Sequence, residues 1–508
     1  MNCLRLARIP VLVAALLSPA AAEPSSERLH RSTPEAEGVS AAAVLRYFDA
    51  ADATVNSMHS FMLNRHGQVV AEGWWAPYGR DEPHLMFSLS KSFTSTAVGL
   101  AQAEGKLSIY DPVTSFFPGD LPADPSKNLQ AMRVRDLLRM SSGQVAEAIG
   151  PFPFGSKENL AKDFLALPVA FKPGTHFVYN TPGTYLCSAI VSKVTGQSVH
   201  DYLLPRLFGP LGIGDPDWAA SAQGVSFGGF GLSLRTEDIA CFGQMLLQRG
   251  QWQGRQLVPA AWVDEATARQ TSNGGDPAGN WDQGYGYQFW RCPPAGVYRG
   301  DGAFGQLCVV MPPYDAVVAV TAGTGDIGNE LDLIWRYLLP ALQDGPLAAD
   351  GAADQKLAAR LANLSLPLPK GDASPDPATL GRRFVFPANP QEIGSVAIQR
   401  ASAGGGYSIT ESLQGREQTF VFGSGTWAKG MLETKEDALG LGGKAPVAAT
   451  GAWTSPDDFV GTITRYHTPV STSFRLHVAG DFCELYLQDN LSLSGPPAIV
   501  HLTGHVQP

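Results

Sequence analysis

"MFSLSKSFTSTAVGLAQAEGKLSIYDPVTSFFP", residues 86–118, decides how this chain is read. It opens on a run of serines around one lysine, with Ser88 and Lys91 three apart. Residues three apart share a face of a helix. Ala97, Leu100 and Ala101 carry helical spacing, and Gly105 marks a stop. Ser88 in the first turn and Lys91 one turn later would set an amine beside a hydroxyl. A serine hydroxyl is a weak nucleophile near neutral pH and needs a base and donors for the oxyanion. A helix N-terminus offers free N–H groups and partial positive charge. That charge and burial lower a lysine pKa, so Lys91 could serve as the base. The spacing alone favours a helix start with an exposed lysine over a catalytic pair, so the rest of the chain must decide.

The 508 residues are enough for two domains, and 44% hydrophobic content is enough for a sizeable core. A net charge of -10 with no cluster of Lys and Arg argues against nucleic-acid binding. The first residues, "MNCLRLARIPVLVAALLSPAAAEPSS", place Arg5 and Arg8 before an apolar run from Ile9 to Leu17. Ala20, Ala21 and Ala22 follow as a small-residue cleavage site. This is the layout of a secretory signal peptide over 1–22. No other stretch approaches the length needed to span a bilayer. The expectation is a soluble mature protein, periplasmic or secreted, with no membrane span.

Five cysteines remain: Cys187, Cys241, Cys292, Cys308 and Cys483. An odd, scattered set is not a disulfide framework. Cys187 and Cys241 lie in apolar helical patterns and read as buried thiols. Cys292 and Cys308 flank a hairpin-like segment, and spacing alone leaves their pairing open. No CxxC or HExxH pattern occurs, so no metal is inferred, and nothing implies a cofactor.

Residues 41–54 read as a helix, and "FMLNRHGQVVAEGWW" alternates around His66-Gly67 like a hairpin. Helical patterns recur in "VRDLLRMSSG", "TYLCSAIVSKVTGQSVHDYLLPRLF" and "RTEDIACFGQMLLQRG", the last with Thr236 as N-cap. "GVYRGDGAFGQLCVVM" and "AVVAVTAG" read as strands around the turn "MPPYDA". "NELDLIWRYLLPALQ" is an amphipathic helix. Strands at both ends with helices between predict one antiparallel sheet whose first and last segments are neighbours. An Ala, Pro and Asp-rich stretch over 346–375 reads as a short helix and a linker. Beyond it, 376–508 carries only strand signals, such as the alternation of Phe474, Leu476 and Val478, and predicts a separate all-β domain.

The quoted segment resembles the nucleophile segment of the class C β-lactamase-related serine hydrolases. That family includes penicillin-binding carboxypeptidases, esterases and 6-aminohexanoate-dimer hydrolases. Four further pieces resemble it in family order: "VRDLLRMSSG", "FVYNTPGTYLCSAIVSKVTGQSVHDYLLPRLFGPLGI", "GFGLSLRTEDIACFGQMLLQRG" and "GDGAFGQLCVVMPPYDAVVAVTAG". The resemblance covers about residues 30–345 and implies an α/β (α+β) fold. Its β-lactamase/transpeptidase-like antiparallel sheet would be flanked by helices, with an all-helical region beside it. The hydrolase domain would occupy 23–345.

The resemblance also implies roles. Ser88 would be the nucleophile and Lys91 its neighbouring base. Tyr179 matches the tyrosine of the family's Tyr-x-Asn motif and would help move the proton; a phenol between lysine and serine can do so. Which of Lys91 and Tyr179 is the resting base stays open, because such a pair titrates together. Thr181 stands where the family often has Asn, and Asn180 falls one position early. Gly300-Asp301-Gly302 stands where the family has Lys-Thr-Gly or His-x-Gly, so the basic residue that helps bind a substrate carboxylate is missing. Arg299 is adjacent, but neighbours on a strand face opposite ways. Gly302 keeps the glycine that lets backbone approach substrate, and Gly305 and Gln306 complete a GxxGQ variant. The N–H groups of Ala303 and Ser88 would form the oxyanion hole.

These implications point to an exported serine hydrolase that cleaves a small ester or a linear amide through an acyl-enzyme on Ser88. The alternatives are a D-amino-acid peptidase or carboxypeptidase, a β-lactamase, and a non-enzymatic sensor resembling a penicillin-binding protein. Trp74, Trp75, Tyr78, Phe152, Phe154, Trp281, Tyr285, Tyr287 and Trp290 are candidates for an aromatic cleft. His84, four before Ser88, reads as structural. The role of the β domain and the oligomeric state stay open.

Overall fold

The computed structural model describes residues 28–148, 152–402, 405–434, 443–493 and 495–507. The expected signal peptide, 1–22, lies outside the described residues. Helix α1 (Ala41–Thr54) leads into strand β1 (Met58–Arg65) and β2 (Gln68–Trp74), paired as a hairpin. Helix α2 (Ser90–Ala103), which carries Lys91, follows. A helical region then runs through α3 (Thr181–Thr195) and α4 (Thr236–Leu247). The chain returns to the sheet as β3 (Tyr298–Gly302), β4 (Gln306–Met311) and β5 (Ala316–Ala322), then leaves through α5 (Ile327–Leu333) and α6 (Gly351–Leu361).

β1 pairs with β5, so the first and last segments of this unit are neighbours, as the sequence pattern predicts. The full order is His30–Arg31, β2, β1, β5, β4, β3, Trp290–Arg291. All neighbours are antiparallel except His30–Arg31, which runs parallel to β2. Every residue of β1 and β5 is buried, because both faces of the sheet are covered. Alternate side chains feed two cores. Phe61, Leu63, Val318 and Val320 pack with residues of α1 and α5, while Met62, Val317 and Ala319 pack with residues of α2 and α4.

Thr236 is not the N-cap of α4. Arg235 holds that position, and the cap is the Asp238 carboxylate, which accepts from Arg235 N at 2.9 Å. Thr236 is the first helical residue and donates its hydroxyl to Ser60 Oγ at 2.7 Å. The five cysteines among the described residues are free and buried. Cys292 and Cys308 belong to different cores, and Arg299 donates to Cys292 Sγ at 3.4 Å. α6 is docked on the N-terminal unit: Leu357 and Leu364 share the core of α1, and Leu366 N donates to Ala76 O at 2.9 Å.

The C-terminal unit is all β. Its strands are β6 (Arg383–Val385), β7 (Ile393–Arg400), β8 (Tyr407–Leu413), β9 (Arg416–Phe422), β10 (Ala428–Thr434), β11 (Gly443–Trp453), β12 (Asp458–Thr464), β13 (Ser471–Ala479), β14 (Phe482–Asp489) and β15 (Ile499–Val506). They form one antiparallel sheet in the order β9-β8-β7-β6-β15-β14-β13-β12-β11-β10. The sheet curls into a near-barrel. Glu433 N donates to Gln418 Oε1 at 2.8 Å, and Gly423 N to Ala449 O at 3.1 Å, across the seam. The loop from β12 to β13 reaches the N-terminal unit: Leu85 N donates to His467 O at 2.8 Å and Tyr78 Oη to Thr468 O at 3.0 Å. No helix among the described residues is long and apolar enough to cross a membrane.

Candidate active site

Ser88 sits in a short 3-10 turn, Phe87–Leu89, that feeds directly into α2. Phe87 has φ of 45°, the left-handed region that non-glycine residues avoid. Such strain costs about 1–3 kcal/mol and concentrates at functional sites. The serine-rich texture now has a physical reason. α2 is buried from Ser90 through Ala101, so its hydroxyls need partners inside the protein. Ser90 donates to Phe87 O at 2.7 Å, Ser92 to Gln288 O at 2.9 Å, and Thr94 to Gly228 O at 2.9 Å. These bonds clamp the nucleophile turn to the surrounding loops.

Lys91 is buried, and Ser88 beside it is partly open. Lys91 Nζ donates to Ser88 Oγ at 2.8 Å and to Gly229 O at 2.9 Å. Burial pushes the Lys91 pKa down to about 7, against the opposing pull of Glu147 and Asp301. The Tyr179 side chain lies beside Ser88, and its ring is 4.9 Å from Lys91 Nζ. Burial pushes the Tyr179 phenol well up, Asp301 adds to the rise, and the neighbouring Ser88 hydroxyl opposes it. Near neutral pH the site therefore holds a lysine close to half neutral and a phenol that keeps its proton. Such a pair can take a proton from one oxygen and give one to another.

β3 runs past the nucleophile turn. A Cβ at Gly302 would stand 2.1 Å from Met86 O, so only glycine permits this approach. A Cβ at Gly300 would meet Leu89 Cδ1 at 2.5 Å and Ser92 Oγ at 2.6 Å. A side chain at 300 would have to displace the Leu89 and Ser92 side chains. Arg299 points to the other face, as strand alternation requires. It is fully buried, pairs with Asp301 at 3.0 Å, and donates to Asn280 O at 2.9 Å. Asp301 also accepts from Trp281 Nε1 at 3.2 Å. Ala303 lies in the loop between β3 and β4, and Gln306 Nε2 donates to Ala303 O at 3.1 Å and Ala322 O at 2.9 Å.

The sequence profile of the Beta-lactamase family matches residues 53–343, more than half of the chain. The chain belongs to the beta-lactamase family. It is similar to the 6-aminohexanoate-dimer hydrolase of Paenarthrobacter ureafaciens, 26% identical over 283 residues, which are 51% of this chain and 71% of that protein. It is also similar to the N-acetylmuramyl-L-alanine amidase of Bacillus subtilis (strain 168), 23% identical over 296 residues, 46% of this chain and 67% of that one. Among solved structures, the octameric penicillin-binding protein homologue from Pyrococcus abyssi aligns with 91% of this chain and 99% of its own, at 15% identity and a TM-score of 0.45. The chain is a serine hydrolase of the beta-lactamase family.

In this beta-lactamase-family chain, three of the candidate aromatics stand near the site. Trp290 stacks on Tyr179 with centroids 5.5 Å apart, Tyr285 meets the same ring edge-on at 6.3 Å, and Trp281 holds Asp301. The others lie elsewhere. Trp75 stacks on Phe48 in the core, Phe152 packs on Phe154 and Phe154 on Phe230, Tyr287 bonds Glu265, and Trp74 bonds Thr236. Tyr78 stacks on His59 at 3.8 Å. His84 bonds His59 at 3.0 Å, and burial pushes its pKa down to about 3, which suits a neutral structural histidine.

Thr181 opens α3 and donates to Glu147 Oε1 at 2.9 Å, while Asn180 turns away to Gln144 at 3.1 Å. Sequence reasoning missed Glu147 and Asp301, the two carboxylates whose charge acts on Lys91. Glu147 lies in an irregular loop with no periodicity to mark it. Asp301 was hidden by attention to the glycines on either side. The Gly229 carbonyl was also missed, although Gly229 opens one of the matched segments.

Proposed function

We propose that this chain hydrolyses a small ester or a linear amide through an acyl-enzyme on Ser88. The observation that carries the reading is the Ser88–Lys91–Tyr179 cluster beside a position 300 that carries no cation. Neutral Lys91 accepts the Ser88 proton as Oγ attacks the substrate carbonyl. The N–H groups of Ser88 and Ala303 hold the oxyanion, with Gln306 fixing the Ala303 peptide. The tetrahedral intermediate collapses, and Tyr179 delivers a proton to the leaving oxygen or nitrogen. Water, activated by the same pair, then releases the acid. A substrate that must be gripped by its carboxylate finds no lysine or histidine at 300, which favours esters and internal amides over β-lactams and D-alanyl-D-alanine. Export belongs to this reading, on the pattern of residues 1–22.

A parallel panel tests it: p-nitrophenyl esters, a 6-aminohexanoate dimer, a D-alanyl-D-alanine peptide and a chromogenic cephalosporin. Turnover of an ester or the dimer, lost in Ser88→Ala, is the expected result. Exclusive turnover of the cephalosporin or the D-alanine peptide would overturn the substrate assignment. Failure of a fluorophosphonate to label the folded protein would overturn the Ser88 mechanism.

A further inference from the structure

The near-barrel is plugged at one end and hollow at the other. Tyr407, Phe422, Trp453, Phe459 and Phe474 interlock as a plug, with Phe422 and Phe474 centroids 5.1 Å apart. Beyond them the lumen widens into a cavity of about 310 Å³. The apolar part of its lining includes Ile393, Leu413, Leu432, Ile463, Phe474 and Leu487. Small-molecule pockets start at about 300 Å³. Barrels of this kind are either filled by side chains or enclose a ligand.

Seven polar or charged residues share the lining, and Glu411 is the one set among apolar inward positions of β8. Along β8 the inward positions are Tyr407, Ile409, Glu411 and Leu413. Glu411 is paired in register with Gln418 of β9, and Gln418 Nε2 donates to Glu411 Oε1 at 2.8 Å. A carboxyl group in an apolar wall is costly unless something pairs with it. The other acids of the lining face cations: Asp489 stands 3.8 Å from Arg465, and Glu433 stands 3.8 Å from Arg416. The partner recorded for Glu411 among the described residues is a neutral amide. Burial holds its carboxyl above the usual range. The lining carries Glu411, Glu433 and Asp489 against Arg465, an acidic balance that favours a cationic guest.

We infer that this cavity is a binding site for a small, largely apolar molecule bearing a primary amine. The amine meets Glu411, and the hydrocarbon part lies along Ile463, Phe474 and Leu487. The site opens at the end of the barrel that carries the Arg465–Val470 loop, which docks on Leu85 and Tyr78 of the hydrolase unit. The Glu411–Gln418 pair also braces the seam, so a stability change alone does not test the site.

The test is calorimetric titration of the full chain with Ser88 blocked by a fluorophosphonate, which keeps the probe out of the catalytic cleft. Octylamine, octanol and octanoate are compared. The expected result is one octylamine site, at least tenfold tighter than octanol, with octanoate weakest. Glu411→Gln should erase the preference for the amine while octanol binding persists. Leu487→Trp fills the lumen and should abolish binding of both. Absence of octylamine binding, equal affinity for octanol, or binding that survives Leu487→Trp each overturns the inference. If Glu411→Gln does not fold, the amine-to-alcohol ratio of the unmutated protein and the Leu487→Trp result still decide it.

Discussion

Lys91 Nζ stands 2.8 Å from Ser88 Oγ and 2.9 Å from the Gly229 carbonyl, enclosed by protein. Burial holds its pKa at about 7. A protonated ammonium has no lone pair to accept the serine proton. Ester turnover should therefore rise with pH through about 7 and level off above it. Lys91→Ala should cost about 10²-fold or more in kcat/KM. Glu147 and Asp301 oppose the depression by favouring the ammonium. Glu147→Gln removes one of these charges, so the rising limb should move to lower pH. A pH–rate profile on a p-nitrophenyl ester checks both; a limb that stays in place would show that Glu147 does not act on Lys91.

Tyr179 should matter most when the leaving group is poor. Its phenol stays protonated and lies beside Ser88, so it is placed to donate to a departing amine. A p-nitrophenolate leaves without a proton, whereas an amide nitrogen cannot. Tyr179→Phe should thus slow a linear amide by about 10²-fold or more and a p-nitrophenyl ester by much less. Equal losses on both substrates would assign Tyr179 to the attack step instead.

The same lysine should weaken the fold near neutral pH. Its pKa is about 7 folded and near 10.5 unfolded, so between those values the unfolded chain binds more protons. Stability contributed through Lys91 therefore rises with pH across that window. Below about 7 the folded protein carries a buried ammonium at a cost of a few kcal/mol. Lys91→Met should raise Tm at pH 6, and the gain should shrink towards pH 10. Thermal melts of inactive Ser88→Ala and Ser88→Ala/Lys91→Met proteins give the comparison.

Much of this was legible beforehand because several signals agreed. The Ser-x-x-Lys spacing, the helical period after it and the ordered downstream segments all place Ser88 and Lys91 on one helix start. The β1–β5 pairing followed from strands at both ends of one unit. The hydrogen bonds that fix the site were less legible, since they come from loops. Glu147 follows an irregular segment, and Asp301 acts only because the fold of β3 brings it near. Thr236 looked like a cap by residue type, but a carboxylate three residues after Arg235 took the role. The aromatics misled most: six of nine candidates serve the cores or distant contacts, because size and apolarity do not distinguish a wall from an interior.

Restoring the missing basic residue should fail. A Cβ at Gly300 already stands 2.5 Å from Leu89 and 2.6 Å from Ser92, both on the nucleophile segment. Gly300→Lys would push that segment away from β3 and should cost a few kcal/mol, the range of overpacked cores. It should lower Tm and ester turnover together, without creating cephalosporinase activity. Gly300→Ala separates steric cost from charge; it should lose stability by a smaller amount in the same direction.

The contact between the two units should tune activity more than stability. Glu82, six residues before the nucleophile, receives Lys429 at 2.7 Å and His467 at 2.9 Å from the near-barrel. Burial pushes its carboxyl up, but bonds from Lys429 and His467 outweigh that and hold the pKa below the usual range. This stabilisation is present above the unfolded carboxylate pKa and is lost as pH falls through the lower folded value. Both partners are partly exposed, so the pairs contribute about 1 kcal/mol or less each. Glu82→Gln should change Tm only slightly at pH 7. The backbone bond from Leu85 to His467 lies three residues before Ser88, so loosening the clamp reaches the nucleophile turn. Glu82→Gln should therefore lower kcat severalfold, and high salt should reproduce the loss in the unmutated protein. Unchanged kcat in both cases would show that the near-barrel docks without influencing the catalytic turn.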